Sequence, residues 1–229
     1  MPTGALCIRE SGCIGQRAQA PRGDESDTFA ILVGRPVTGN GAWFGPQYLT
    51  EVHMSTEIMT RALQFATTRH AQQRRKYTDL PYITHLEAVV AILRDHDIND
   101  PTTLAAAYLH DVVEDTQTTI QELILMFGES VAELVYWLSD LEKGNRAARV
   151  LQSCWRLSRA PMPAKVIKCA DIIDNSSTIA EYDPKFAATF NREKSATLQM
   201  MAAVEGPEFA DLRIFRKAVA ASTVPSEGR

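Results

Sequence analysis

The chain is 229 residues long, 45% hydrophobic and 23% charged, enough for one generous domain with a substantial core. Its 24 Lys and Arg against 28 Asp and Glu leave a net charge of −4, without the basic footprint of a general nucleic-acid binder. No apolar stretch reaches the about 20 residues that span a bilayer, so neither a nucleic-acid nor a membrane partner is expected.

The N-terminus carries Arg9 and Arg17 with no continuous apolar run between them. It does not read as a secretory signal, and a cytoplasmic location is the expectation. Cys7, Cys13, Cys154 and Cys169 form no CxxC pair, which points to reduced, structural thiols.

Eight of the twelve glycines precede residue 53, and none falls between residues 46 and 127. Residues 1–53 are therefore expected to be an irregular or disordered extension, with only Thr28–Val33 resembling a short strand. The glycines lack the GxxxxGK[ST] spacing of a phosphate loop. Met54 offers an alternative start, directly before a helical pattern. The expected domain runs over 54–222, followed by a flexible tail over 223–229.

From residue 55 onward apolar residues recur at helical spacing and no segment alternates as a strand does, so the fold class is all-α. Ile58, Ala62, Phe65 and Ala66 mark a first helix over 56–71. Residues 72–81 read as a charged loop ending in Pro81. Leu86, Val89, Val90 and Leu93 mark a second helix over 84–95, with His85 at its start. Asn99-Asp100-Pro101-Thr102 is a turn and cap opening a third over 102–114. Thr118 and Thr119 cap a fourth that breaks at Gly128. Further helices are predicted over 129–142, 146–158, 162–180, 186–204 and 208–220.

The third helix holds the chain's densest chemistry, Tyr108-Leu109-His110-Asp111-Val112-Val113-Glu114-Asp115. On a regular helix with His110 at zero, Glu114 lies at about 40°, Asp111 at about 100° and Asp115 at about 140°. The four ionisable groups then share one face, with Leu109, Val112 and Val113 behind them. Such a cluster is costly in a core unless a metal or substrate compensates it. His110 and Asp111 are two candidate ligands for a divalent ion, His85 is a plausible third, and Asp171 in Lys168-Cys169-Ala170-Asp171-Ile172-Ile173-Asp174-Asn175 is a carboxylate from a distant helix. Asp174 and Asn175 can face the same cavity as Asp171.

In order, the chain carries Arg74-Arg75-Lys76, Pro81-Tyr82-Ile83-Thr84-His85, His110-Asp111-Val112-Val113-Glu114-Asp115-Thr116, and Ala170-Asp171 with Asn175. This series, over about residues 56–205, resembles the HD-domain metal phosphohydrolases, and within them the hydrolase domain of the RelA/SpoT alarmone enzymes, in their stand-alone small form. The resemblance implies a helical bundle of about eight or more helices. It also implies removal of the 3′-pyrophosphate of ppGpp or pppGpp, with one Mn2+ held by His85, His110, Asp111 and Asp171. Glu114 and Asp115 are the candidates for handling water, with Glu114 favoured by its angle between His110 and Asp111. Arg74, Arg75, Lys76 and Asn175 carry over as nucleotide contacts.

Two positions depart from the family pattern. The loop Tyr77-Thr78-Asp79-Leu80 has no glycine where the family commonly has one, and Asp174 stands where the family often has an aromatic residue or His. An added carboxylate there is expected to disfavour a highly charged substrate or recruit a second cation. Alternative readings are an HD hydrolase of another 3′-phosphorylated nucleotide, an adenosine alarmone or NADPH, and a catalytically silent alarmone-binding module.

Overall fold

Helix α3 (Pro101–Leu109) is the element around which the others gather: from Thr103 to Leu109 every side chain is buried. Ala105, Ala106 and Ala107 keep that helix thin, so neighbours can approach its axis closely. Against it pack α1 (Pro46–Arg69), α2 (Ile83–Asp95), α6 (Glu129–Leu138) and α8 (Met162–Tyr182). The structure is a computed structural model that describes residues 46–223, with side chains described from residue 56. The expected strand at Thr28–Val33, Cys7, Cys13 and nearly all of the expected tail lie outside the described residues.

Among the described residues there are eleven helical segments and no named strand, only an isolated bridge between Arg74 and Pro81. The all-α reading holds. Leu86, Val89, Val90 and Leu93 are buried along one face of α2, and Val131, Leu134, Val135 and Leu138 do the same for α6, as their spacing demands. Cys154 and Cys169 are free and buried.

Caps set most boundaries. The Asp100 carboxylate accepts from Thr103 N at 2.8 Å ahead of Pro101, and Thr119 Oγ1 accepts from Glu122 N at 3.2 Å at the start of α5 (Ile120–Phe127). Asn145 Oδ1 takes Ala148 N at 2.9 Å to open α7 (Arg146–Ser158). Asp183 Oδ1 takes Phe186 N at 3.1 Å to open α9 (Pro184–Glu205). Each satisfies an otherwise orphaned amide. Gly128, at φ 85°, turns α5 into α6 with a backbone that a larger residue would resist.

Four sequence expectations need correction. Helix α1 starts at Pro46 instead of residue 56, so residues 46–53 are helical and not part of an irregular extension; proline at the first helical position is pre-set for that conformation. The helix predicted over 102–114 is two: α3 stops at Leu109, and α4 (Val112–Asp115) follows after a turn at His110 and Asp111. The helix predicted over 129–142 ends at Leu138. The final one divides into α10 (Pro207–Ala210) and α11 (Arg213–Ala221).

Candidate active site

The break between α3 and α4 builds the site. Asp111 leaves regular helix geometry at φ −102°, ψ −6°, so the single-helix angles computed from His110 do not apply beyond it. His110 Nε2 and Asp111 Oδ2 come within 3.1 Å of each other. His85, in the first turn of α2, places Nε2 3.7 Å from that same Asp111 oxygen and 3.4 Å from Asp171 Oδ1 in the middle of α8. Asp171 Oδ1 is 4.0 Å from His110 Nε2. Ligand atoms of His85, His110 and Asp171 all lie within 4.8 Å of one another, with all three residues buried.

The tautomers are set from behind. His110 Nδ1 donates to the Ala107 carbonyl at 2.8 Å, and His85 Nδ1 donates to Asp174 Oδ2 at 2.7 Å. That leaves the Nε2 atom of each ring facing the carboxylates, and both Nε2 atoms are buried without a hydrogen-bond partner. Two orphaned imidazole nitrogens converging on two carboxylates form a donor set that suits a divalent cation, and the outward Nδ1 bonds are the support such ligands require.

The electrostatics agree. Burial opposes a charged His85, yet Asp171, Asp174 and Asp111 outweigh it and push the imidazole up to about 9. For Asp111, burial acts against ionisation, but His110 and His85 hold it below the usual carboxylate range. Asp171 is likewise held low against burial, by Lys168 and the two imidazoles. Lys168 Nζ lies 2.8 Å from Asp171 Oδ2, Asn175 Nδ2 donates to Asp171 Oδ1 at 2.5 Å, and Tyr82 donates its hydroxyl to Asp111 Oδ2 at 2.5 Å. The carboxylates are therefore oriented before any ion arrives.

Glu114 and Asp115 both border the same cavity, about 190 Å³, with Tyr82, Lys168, Asn175 and Lys194 among its walls. They are held differently. Glu114 Oε2 accepts from Asp140 N at 3.0 Å, and burial together with the Asp111 charge raises its pKa. Asp115 Oδ2 accepts from Gln73 Nε2 at 2.8 Å. A carboxyl with a raised pKa beside a cation site is suited to moving a proton, and one anchored to a loop amide is suited to positioning.

The three cations of the 72–81 loop do not line that cavity. Arg74 is exposed and donates to the Asp79 carbonyl at 2.9 Å. Arg75 donates to Asp174 Oδ2 at 2.7 Å and to Thr178 Oγ1 at 3.2 Å. Lys76 Nζ stands 5.6 Å from the Phe186 ring. Phe186 belongs to an adjoining cavity of about 230 Å³ whose walls include Asp140, Arg146, Arg149, Phe190, Glu193 and Lys194.

Both departures from the family pattern acquire a physical account. Asp174 faces Arg75 and His85, which together hold its pKa down against burial; its charge is compensated within the protein, so the expected repulsion of substrate does not follow. Asp79 takes φ 55°, a left-handed conformation that Asp tolerates better than most side chains. The loop closes through Arg75 N to Leu80 O at 2.9 Å and Tyr82 N to Gln73 O at 3.0 Å.

Sequence reasoning missed Tyr82, Lys168, Asp140 and Lys194. Tyr82 sat within a quoted motif and Lys168 lies one helical turn before Asp171, so both were findable. Asp140 and Lys194 carried no local signal.

The fold and the centre define a class, and the match to known families agrees: the HD domain family covers residues 62–202, and the chain belongs to it. The chain is 35% identical over 133 residues to the guanosine-3′,5′-bis(diphosphate) 3′-pyrophosphohydrolase MESH1 of Danio rerio, a match spanning 57% of this chain and 74% of that one. It is 37% identical over 142 residues to a probable guanosine-3′,5′-bis(diphosphate) 3′-pyrophosphohydrolase of Synechocystis, covering 59% of this chain but only 18% of that one. A solved structure described as a metazoan ortholog of SpoT that hydrolyzes ppGpp superposes with a TM-score of 0.63 at 26% identity, covering 72% of this chain and 93% of that one. Among the described residues no helix is long and apolar enough to cross a membrane.

Proposed function

We propose that the protein is a metal-dependent pyrophosphohydrolase that removes the 3′-pyrophosphate from ppGpp and pppGpp. The observation that carries this reading is the pair of buried Nε2 atoms of His85 and His110, without a hydrogen-bond partner and facing Asp171, in a chain of the HD-domain family whose relatives bear that activity in their names. His85, His110, Asp111 and Asp171 would hold one Mn2+. Bound there, the ion would lower the pKa of water and polarise a phosphoryl oxygen.

The chain's own groups supply the rest. Glu114 takes a proton from the attacking water, a role its raised pKa favours. The water oxygen adds to the phosphorus esterified to ribose O3′, and the P–O3′ bond breaks with its electron pair on O3′. O3′ then takes up a proton, so that GDP or GTP and pyrophosphate are the products. Asp115 positions water from the Gln73 side, Asn175 meets the ribose or phosphate beside Asp171, and Arg74, Arg75 and Lys76 flank the nucleotide end. Because Arg75 is engaged by Asp174, Arg74 and Lys76 are the loop cations left to meet a base or phosphate.

The deciding experiment incubates the purified protein and Mn2+ with ppGpp, pppGpp, an adenosine 3′-phosphorylated alarmone and NADPH. Mn2+-stimulated release of pyrophosphate from the guanosine substrates is expected. Release of orthophosphate, or preference for the adenosine compounds, overturns the reading. So does tight ppGpp binding without turnover.

A further inference from the structure

The metal cavity and the adjoining cavity meet at three shared side chains, Asp140, Phe190 and Lys194. Four cations line the two. Lys168 is paired with Asp171 at 2.8 Å, and Arg146 grips Glu193 through two bonds of 2.7 and 2.8 Å. Lys194 and Arg149 make no ion pair among the described residues.

Lys194 projects from α9 at that junction, with Nζ 5.2 Å from the centre of the Phe190 ring. An ammonium placed partly inside the protein without a carboxylate in contact is unfavourable unless an anion joins it. Burial, and then the charge of Lys168, lowers its pKa, although Asp171, Glu193 and Asp140 act in the opposite direction. The adjoining cavity sets Arg146, Arg149 and Lys194 against Asp140 and Glu193. It is therefore net positive by one charge, next to a centre dominated by carboxylates.

We propose that Lys194, with Arg149 on the same cavity wall, binds the outer phosphate of a pyrophosphoryl group whose inner phosphate sits at the His85, His110 and Asp171 centre. The proposal rests on the function above and adds its specificity: a 3′-monophosphate has no group to place at Lys194. A lysine serves as a point charge for such an oxygen, and fixing the outer phosphate holds the inner phosphorus in line with the water beside Glu114.

The test uses the Mn2+-loaded full chain and calorimetry with inorganic pyrophosphate and inorganic phosphate, so that it does not depend on turnover. Lys194→Met should weaken pyrophosphate binding about tenfold, the loss of one charge-assisted contact. It should leave phosphate binding and Mn2+ affinity unchanged, and Lys194→Arg should restore most of the pyrophosphate affinity. In turnover, the preference of kcat/KM for ppGpp over the 3′-monophosphate analogue should fall by a similar factor. Unchanged pyrophosphate affinity in a Lys194→Met protein that still binds Mn2+ overturns the subsite while leaving the hydrolase reading intact. A wild-type protein that binds pyrophosphate through Lys194 but does not hydrolyse ppGpp overturns the hydrolase reading and leaves the subsite standing.

Discussion

His85 and Asp174 are joined by a 2.7 Å hydrogen bond, and the carboxylate oxygen that accepts it also accepts Arg75 at 2.7 Å. One oxygen thus ties an imidazole of the metal centre to the cationic loop. Asp174→Ala should lower Mn2+ affinity by about 10- to 100-fold, the usual cost of losing a partner behind a ligand histidine. Asp174→Asn, which keeps an acceptor, should lose less. Calorimetry on metal-free protein measures both, and an unchanged Asp174→Ala affinity would remove this residue from the site.

Metal binding and proton handling should separate by mutation. Asp111→Ala should abolish Mn2+ binding and turnover together, because Asp111 Oδ2 stands within 3.1 and 3.7 Å of the two imidazoles. Glu114→Gln keeps the acceptor for Asp140 N, so Mn2+ affinity should persist while kcat falls by about 100- to 10,000-fold. Equal loss of metal in both variants would argue that Glu114 is a ligand and not a base.

Metal affinity should rise with pH. His85 is pushed from its ordinary 6.5 up to about 9 in the metal-free protein, against burial, chiefly by Asp171 and Asp174. A folded pKa raised in this way stabilises the metal-free protein fully below 6.5 and loses that contribution as pH climbs through about 9. The same proton must leave before a cation can bind Nε2, so over that interval Mn2+ affinity should increase by up to about tenfold per pH unit. Asp111 and Asp171 are held low and stay ionised throughout it. Calorimetric titrations at two pH values within this range test the slope, and a flat profile would contradict it.

Stability offers a separate test away from the chemistry. Lys165, with a fully buried side chain, is ion-paired to Glu205 at the end of α9. Glu205→Ala leaves a buried ammonium without its carboxylate and should cost about 3 kcal/mol, whereas Lys165→Met removes charge and hole together and should cost far less. Chemical denaturation of the two variants reads the difference, and equal losses would show that packing of the lysine stem dominates.

Much of the molecule is legible in its sequence, for physical reasons that operate locally. Helical periodicity placed α2 and α7 to within a residue of their observed bounds, because a buried face must repeat with the turn of the helix. The caps at Asp100 and Thr119 were readable because they satisfy amides only three residues away. The residue types of the candidate centre, His85, His110, Asp111 and Asp171, were readable because two imidazoles and two carboxylates in apolar runs need a common compensating partner.

What lay beyond sequence reading depends on contacts between distant segments. No local rule ends a helix at Leu109, yet that break brings His110 and Asp111 together opposite α8. Nothing in Asp174 itself announces that Arg75, 99 residues earlier, neutralises it. The sequence by itself determined the helices and the inventory of chemical groups, since spacing and residue type act over a few neighbours. Tertiary packing alone decided which nitrogens remained without partners, which carboxylates were compensated, and that Lys194 stands where the two cavities meet, because burial and charge pairing are properties of assembled neighbours.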